Sequence, residues 1–109
     1  MLTGQGASSG IVEATVVVVD DPAEVDIEPG QVLVARTTDP SWTGVMFLSG
    51  ALVVDIGGLL SHAAVVAREI GVPCVMGTGN GTQVLRTGDR CRVDGTAGTV
   101  EVLERAATI

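Results

Sequence analysis

Residues 51 to 56 read Ala-Leu-Val-Val-Asp-Ile, an apolar run of six interrupted only by Asp55. A segment that short and that continuously apolar has no polar face to give to water, which marks it as a central strand. Other segments supply its neighbours. Gly10 to Val19 is rich in β-branched residues and stops at Asp20-Asp21-Pro22, so it predicts a buried strand ended by a turn. Gln31 to Arg36, Val72 to Met76, Arg90 to Val93 and Thr99 to Leu103 are further strands, the last two joined through Asp94-Gly95-Thr96-Ala97-Gly98. Ala63 to Ile70 predicts the one good helix, with Ser61 placed to cap it, Gly71 after its end and Pro73 preventing continuation. A shorter helix opens on Asp39 and Pro40 and runs to about Leu48, where Ser49-Gly50 closes it. Asp21, Pro22 and Glu24 have the pattern of a capping box for one further helical turn. Gly77 to Gly81 reads as a flexible loop, and the chain after Glu104 as a ragged tail. The sum is a compact mixed β/α domain over residues 1–109.

Composition narrows the functions open to such a domain. With 46% hydrophobic and 17% charged residues, the 109-residue chain can bury a core, yet it has no room for an ATP-binding domain and a substrate domain together. No apolar run approaches the roughly 20 residues of a membrane span, and a basic signal-peptide start is missing, so the expected location is the cytoplasm, with no membrane partner. All six basic residues are arginines. Without lysine there is no P-loop lysine, no pyridoxal Schiff base and no biotinyl or lipoyl attachment point. The net charge is -7, and residues 1 to 55 carry all of that excess. That acidity, with one Phe, one Trp and no Tyr to stack bases, disfavours nucleic acid as a partner. Cys74 and Cys91 stand singly in apolar, strand-like settings and read as buried reduced thiols.

The chain has one histidine, His62, at the start of the main helix. Gly57 and Gly58 before it let backbone approach a ligand closely and leave the imidazole uncovered. The free N–H groups of a first helical turn, and the positive end of the helix dipole, favour an anion beside that ring. The same field disfavours an imidazolium and so keeps the nitrogen nucleophilic. This is a place to hold a phosphoryl group. Zinc does not suit it, since a closed site needs about four ligands and the chain offers one His and two dispersed Cys.

Gly57-Gly58-Leu59-Leu60-Ser61-His62-Ala63-Ala64-Val65-Val66-Ala67-Arg68, continued by Glu69-Ile70-Gly71-Val72-Pro73-Cys74-Val75-Met76-Gly77, resembles the signature of the mobile phosphohistidine domain of phosphoenolpyruvate (PEP)-utilising enzymes over 21 consecutive positions. Phosphoenolpyruvate synthase, pyruvate phosphate dikinase and rifampicin phosphotransferase contain such domains. Thr38-Asp39-Pro40-Ser41-Trp42, Gly77-Thr78-Gly79-Asn80-Gly81-Thr82 and Val93-Asp94-Gly95-Thr96-Ala97-Gly98 extend the likeness to most of the chain. The resemblance implies an α/β fold of the swivelling β/β/α type, with a mixed sheet, one main helix and short helical turns. It implies that His62 is the catalytic residue, phosphorylated from ATP and Mg2+ on an ATP-grasp-like nucleotide-binding domain or subunit. The histidine would then pass the group to an acceptor-substrate domain; the domain alone would bind no cofactor or metal and show no net turnover. Leu60 departs from the pattern: many pyruvate phosphate dikinases carry a regulatory threonine there, and such regulation is excluded in this chain.

Around His62, the residues expected to bind or position the phosphoryl group are Gly57, Gly58, Ser61 and Arg68. Ser61 suits either capping or a bond to phosphoryl oxygens. Arg68 lies about 240° round the helix from His62, so a structural or docking contact competes with phosphate contact. Asp39 is an N-cap that could also orient His62, and Trp42 is either core or part of a loop near the histidine. A non-catalytic interaction or structural module that has kept the fold is the rival reading.

Overall fold

The computed structural model describes residues 1–23 and 26–106. Eight strands, β1 (Leu2–Thr3), β2 (Gln5–Ser8), β3 (Ile11–Val19), β4 (Val32–Ala35), β5 (Ala51–Val54), β6 (Cys74–Met76), β7 (Arg90–Asp94) and β8 (Thr99–Glu104), lie in the order β1-β8-β7-β3-β4-β5-β6-β2. The helices are α1 (Thr43–Leu48), entered through a 3-10 turn at Pro40–Trp42, then α2 (His62–Ile70) and α3 (Gly81–Val84). No helix among the described residues is long and apolar enough to cross a membrane.

The long strand β3 belongs to two sheets. Ile11 to Thr15 pair antiparallel with β7, and Val16 to Val19 pair parallel with β4. The parallel strands β3 to β6 are therefore sandwiched, and their side chains alternate between two cores, as the two-residue period of a strand requires. Val32, Val34, Ala51, Val53 and Val75 face the β1–β8–β7 sheet, where they meet Leu2, Leu85, Cys91, Val93 and Val100. Leu33, Ala35, Leu52, Val54, Cys74 and Met76 face the helices, where Trp42, Met46, Ala63, Ala64, Val66 and Ala67 cover them. Sheet, sheet and helices make the β/β/α layering. The all-buried run at residues 51 to 54 is central, as its lack of a polar face requires.

Several local expectations need correction. Sequence reading finds no strand before Gly10, yet β1 and β2 occupy the two ends of the strand order although only Gly4 separates them. The first eight residues thus stitch the sheet's two edges together, and backbone meets backbone at the join. A β-carbon on Gly95 would overlap the Ser8 carbonyl, and one on Gly6 the Gly95 carbonyl. Alternation is a weak guide in such a segment, because glycines replace the side chains that would reveal it. The loop expected through Gly81 ends at Asn80, and Gly81 begins α3. The tail is not ragged at its start. Arg105 Nη1 donates to Asp89 Oδ2 at 3.0 Å and Ala106 N–H to Asp89 Oδ1 at 2.6 Å, so the fully buried Asp89 carboxylate holds it. Asp21 accepts from Ala23 N–H at 2.9 Å, while Glu24 of the expected capping box, like residues 107–109, lies outside the described residues.

Candidate functional site

Because β3 to β6 run parallel, their carboxyl ends share one edge, where loops of open α/β sheets commonly build sites. Backbone bonds tie three of these loops together. Ile56 N–H donates to Arg36 O at 2.9 Å, Gly77 N–H to Val54 O at 2.8 Å and Gly79 N–H to Asp55 O at 3.1 Å. The buried Asp55 fixes the loop after β6, accepting from Thr78 Oγ1 at 2.8 Å and Thr82 Oγ1 at 2.6 Å.

His62 stands in this setting as the first residue of α2, half-buried. Its Nδ1 lies 3.4 Å from the Thr38 hydroxyl, which arrives on the loop after β4. The first bond of the helix runs from Val65 N–H to Ser61 O at 3.1 Å, and no side chain caps the turn before it. The N–H groups of His62, Ala63 and Ala64 thus precede the helical ladder, which is the donor arrangement that receives an anion. Ser61 occupies the N-cap position without capping. Its hydroxyl points instead at the Met76 sulfur, 3.9 Å away, because the loop folds over that buried side chain.

The two glycines before the histidine differ in what they do. Gly57 has φ +137°, and a β-carbon there would come within 2.7 Å of Met76 Cε and 3.3 Å of Ser61 Cβ. Both conformation and space require glycine. Gly58 has no such demand, since its β-carbon would find only Gln5 Oε1 at 3.7 Å. Packing and conformation within the protein thus demand glycine at 57 and leave room for a side chain at 58.

Arg68 bonds to two backbone carbonyls. Its Nε donates to Ala7 O at 2.8 Å and its Nη2 to Leu59 O at 2.6 Å, toward the N-terminal end of the helix as helical side chains lean. Asp39 caps the 3-10 turn through Ser41 N–H at 2.8 Å. Its carboxyl is held below the ordinary value chiefly by the Ser41 hydroxyl and then by the Ser41 N–H, with desolvation opposing. Trp42 is buried in the helix-side core. Thr38, not Asp39, touches the ring. In the sequence, the one local sign of Thr38 is that it precedes an Asp-Pro cap.

A cleft of about 290 Å³ opens at the carboxyl ends of β3 and β4, lined by Val19, Asp20, Arg36, Thr37, Asp39 and Trp42. Its volume is at the lower end of small-molecule pockets, and His62 is not among the residues lining it. Around the histidine loop, Ile56, Leu59 and Leu60 are exposed, Leu60 to 91%.

The sequence profile described as PEP-utilising enzyme, mobile domain matches residues 27–98, which contain the loops after β4, β5 and β6. The chain belongs to that family. It is 46% identical over 102 residues to a rifampicin phosphotransferase from a Streptomyces species, covering 94% of this chain and 12% of the relative. It is also 46% identical over 101 residues to the phosphoenolpyruvate synthase of Pyrococcus furiosus, covering 92% of this chain and again 12% of the relative. The mobile domain thus spans about an eighth of the curated relatives it matches. Among solved structures, the solution structure of an Enzyme I protein superposes with a TM-score of 0.63 at 38% identity, over 72% of this chain and 32% of that one.

Proposed function

We propose that this mobile domain is a phosphohistidine carrier. An ATP-grasp-type nucleotide-binding domain holding ATP and Mg2+ phosphorylates His62, and the domain then presents the group to an acceptor-substrate domain with a small-molecule acceptor. The observation that carries the reading is the placement of the chain's single histidine at an uncapped helix N-terminus with Thr38 on its Nδ1 side. A neutral imidazole has one N–H and one lone pair. With the proton on Nδ1 and donated to Thr38 Oγ1, the Nε2 lone pair is free to form the P–N bond as the donor's P–O bond breaks and its electrons leave with the donor oxygen. The helical N–H groups and the dipole then stabilise the transferred anion. The exposed Ile56, Leu59 and Leu60 suit a histidine that a partner must cover during transfer.

Incubation with the ATP-binding partner, Mg2+ and ATP labelled at the β or γ position tests this. The expected result is one phosphate per chain, labile in mild acid and stable in alkali, and absent from His62→Ala. Labelling that survives His62→Ala, or that resists acid, makes a hydroxyl the acceptor and ends the proposal. No labelling of the wild-type chain would leave the interaction module as the better reading.

A further inference from the structure

We infer that Arg68 is a positioning residue for His62, a strut that fixes the histidine loop by joining it to a bulge in the N-terminal strand; the inference rests on His62 being the phosphoryl acceptor. Along β2, Gly6 faces Val75 and Ser8 faces Cys74, so two steps on β2 match one on β6 and Ala7 is the extra residue. A bulged residue is left out of the ladder, and bulges often sit beside active sites where they re-aim a group. In this strand the freed group is the Ala7 carbonyl, and Arg68 Nε takes it at 2.8 Å. From the same guanidinium, Nη2 reaches Leu59 O at 2.6 Å, three residues before His62. One planar fork therefore spans two segments 52 residues apart in sequence, Ala7 and Leu59.

The rest of the loop is held by Ser61 N–H on Gly58 O at 3.1 Å and by the Ser61 hydroxyl against the Met76 sulfur at 3.9 Å, with Leu59 and Leu60 exposed between them. Gly57, at φ +137°, fixes where the loop starts, and the Thr38 contact orients the ring at its end. Arg68 supplies the middle anchor. Lysine cannot replace it fully, because a single ammonium does not reproduce the fixed fork that serves two carbonyls at once. Nε is given to the strand at Ala7 O and Nη2 to the loop at Leu59 O, and this bridging role is distinct from binding the phosphoryl oxygens.

Phosphoramidate, a small phosphoryl donor that needs no partner protein, isolates this role. In the full 109-residue chain, Arg68→Ala and Arg68→Gln are expected to slow phosphohistidine formation by about ten- to a hundredfold, the scale set by small misplacements of a reacting group. Arg68→Lys should fall between them and wild type. Ethylguanidinium added to Arg68→Ala should recover rate, and it should do nothing for His62→Ala. Once formed, the phosphohistidine of Arg68→Ala should show the wild-type ³¹P shift and the wild-type hydrolysis rate. Unchanged formation in folded Arg68→Ala overturns the strut. So does a moved ³¹P shift or an altered hydrolysis rate, since either means that Arg68 touches the phosphoryl group. Should Arg68→Ala fail to fold, Arg68→Lys carries the test through its rate and the ¹⁵N shifts of the His62 ring, and wild-type values for both overturn the strut. Wild-type chain that accepts no phosphoryl group at all refutes the carrier reading instead, and is a distinct result.

Discussion

Gly57→Ala should destabilise the domain far more than Gly58→Ala, although the residues are neighbours in the same loop. At φ +137° a residue with a β-carbon costs about 1–3 kcal/mol in backbone strain. The new methyl would also stand 2.7 Å from Met76 Cε. A methionine end can move in open surroundings, but Met76 is fully buried, so displacing it overpacks the helix-side core at a cost of about 1–3 kcal/mol. Together the effects reach about 2–6 kcal/mol, a large part of the roughly 5–15 kcal/mol that holds an ordinary domain. Gly58→Ala meets only Gln5 Oε1 at 3.7 Å and should stay within about 0.5 kcal/mol of wild type. Trp42, the single tryptophan and buried, reports unfolding by fluorescence. Thermal melts should place Gly57→Ala at least about 8 °C below wild type, with Gly58→Ala unmoved. Equal losses for the two, or no loss for Gly57→Ala, would show that the loop can slide and that Gly57 does not set its path.

Thr38→Val should leave stability nearly unchanged but slow phosphohistidine formation by up to about tenfold, the value of one neutral hydrogen bond; Thr38→Ser should restore it, and imidazole ¹⁵N shifts should follow the loss of the Nδ1–H form. Burial pushes the Asp89 carboxyl up, but the Ala106 and Arg86 N–H groups and the Arg105 guanidinium outweigh it and hold it below its ordinary value. Its stabilisation is therefore present above the unfolded-state pKa and lost as pH falls through the folded value, so in urea titrations the deficit of Asp89→Asn should shrink as pH drops below about 4. Burial raises Cys74 to about 12 and Cys91 to about 11. Neither thiol should react with a thiol-specific reagent near neutral pH until urea unfolds the chain, and rapid native-state modification would place one at the surface.

The strands that form the two cores were legible because their side chains record it. Val32 to Ala35 and Ala51 to Val54 are apolar at every position, which only burial on both faces explains. The end of α2 was legible for a local reason too: Gly71 adopts φ +77°, and its N–H donates to Ala67 O at 2.9 Å. Ser61 could not be read in this way, because Ser at an N-cap position reports only a preference. Whether its hydroxyl turns inward depends on Met76, fifteen residues later. The same holds for Thr38, whose partner is 24 residues away, and for Asp89, whose role depends on Arg105 and Ala106. Contacts between segments distant in sequence leave no periodicity to detect.

The first eight residues are the extreme case, and they bear on the site. Leu2 and Ala7 are the buried hydrophobic residues among them, one in each core, so no alternation marks the two strands. Yet β1 pairs with β8 and β2 with β6, which closes the sheet and brings the Ala7 carbonyl to Arg68. Damage to the closure should therefore be felt at His62. A substitution at Gly6 that keeps the domain folded but shifts β2 against β6 would move the carbonyl that anchors Arg68, and with it the loop carrying the histidine. The helix end alone does not define the site. In the carrier reading its geometry depends on β2, at one end of the strand order, and that proposed coupling is what would distinguish a positioned phosphoryl acceptor from a histidine that merely begins a helix.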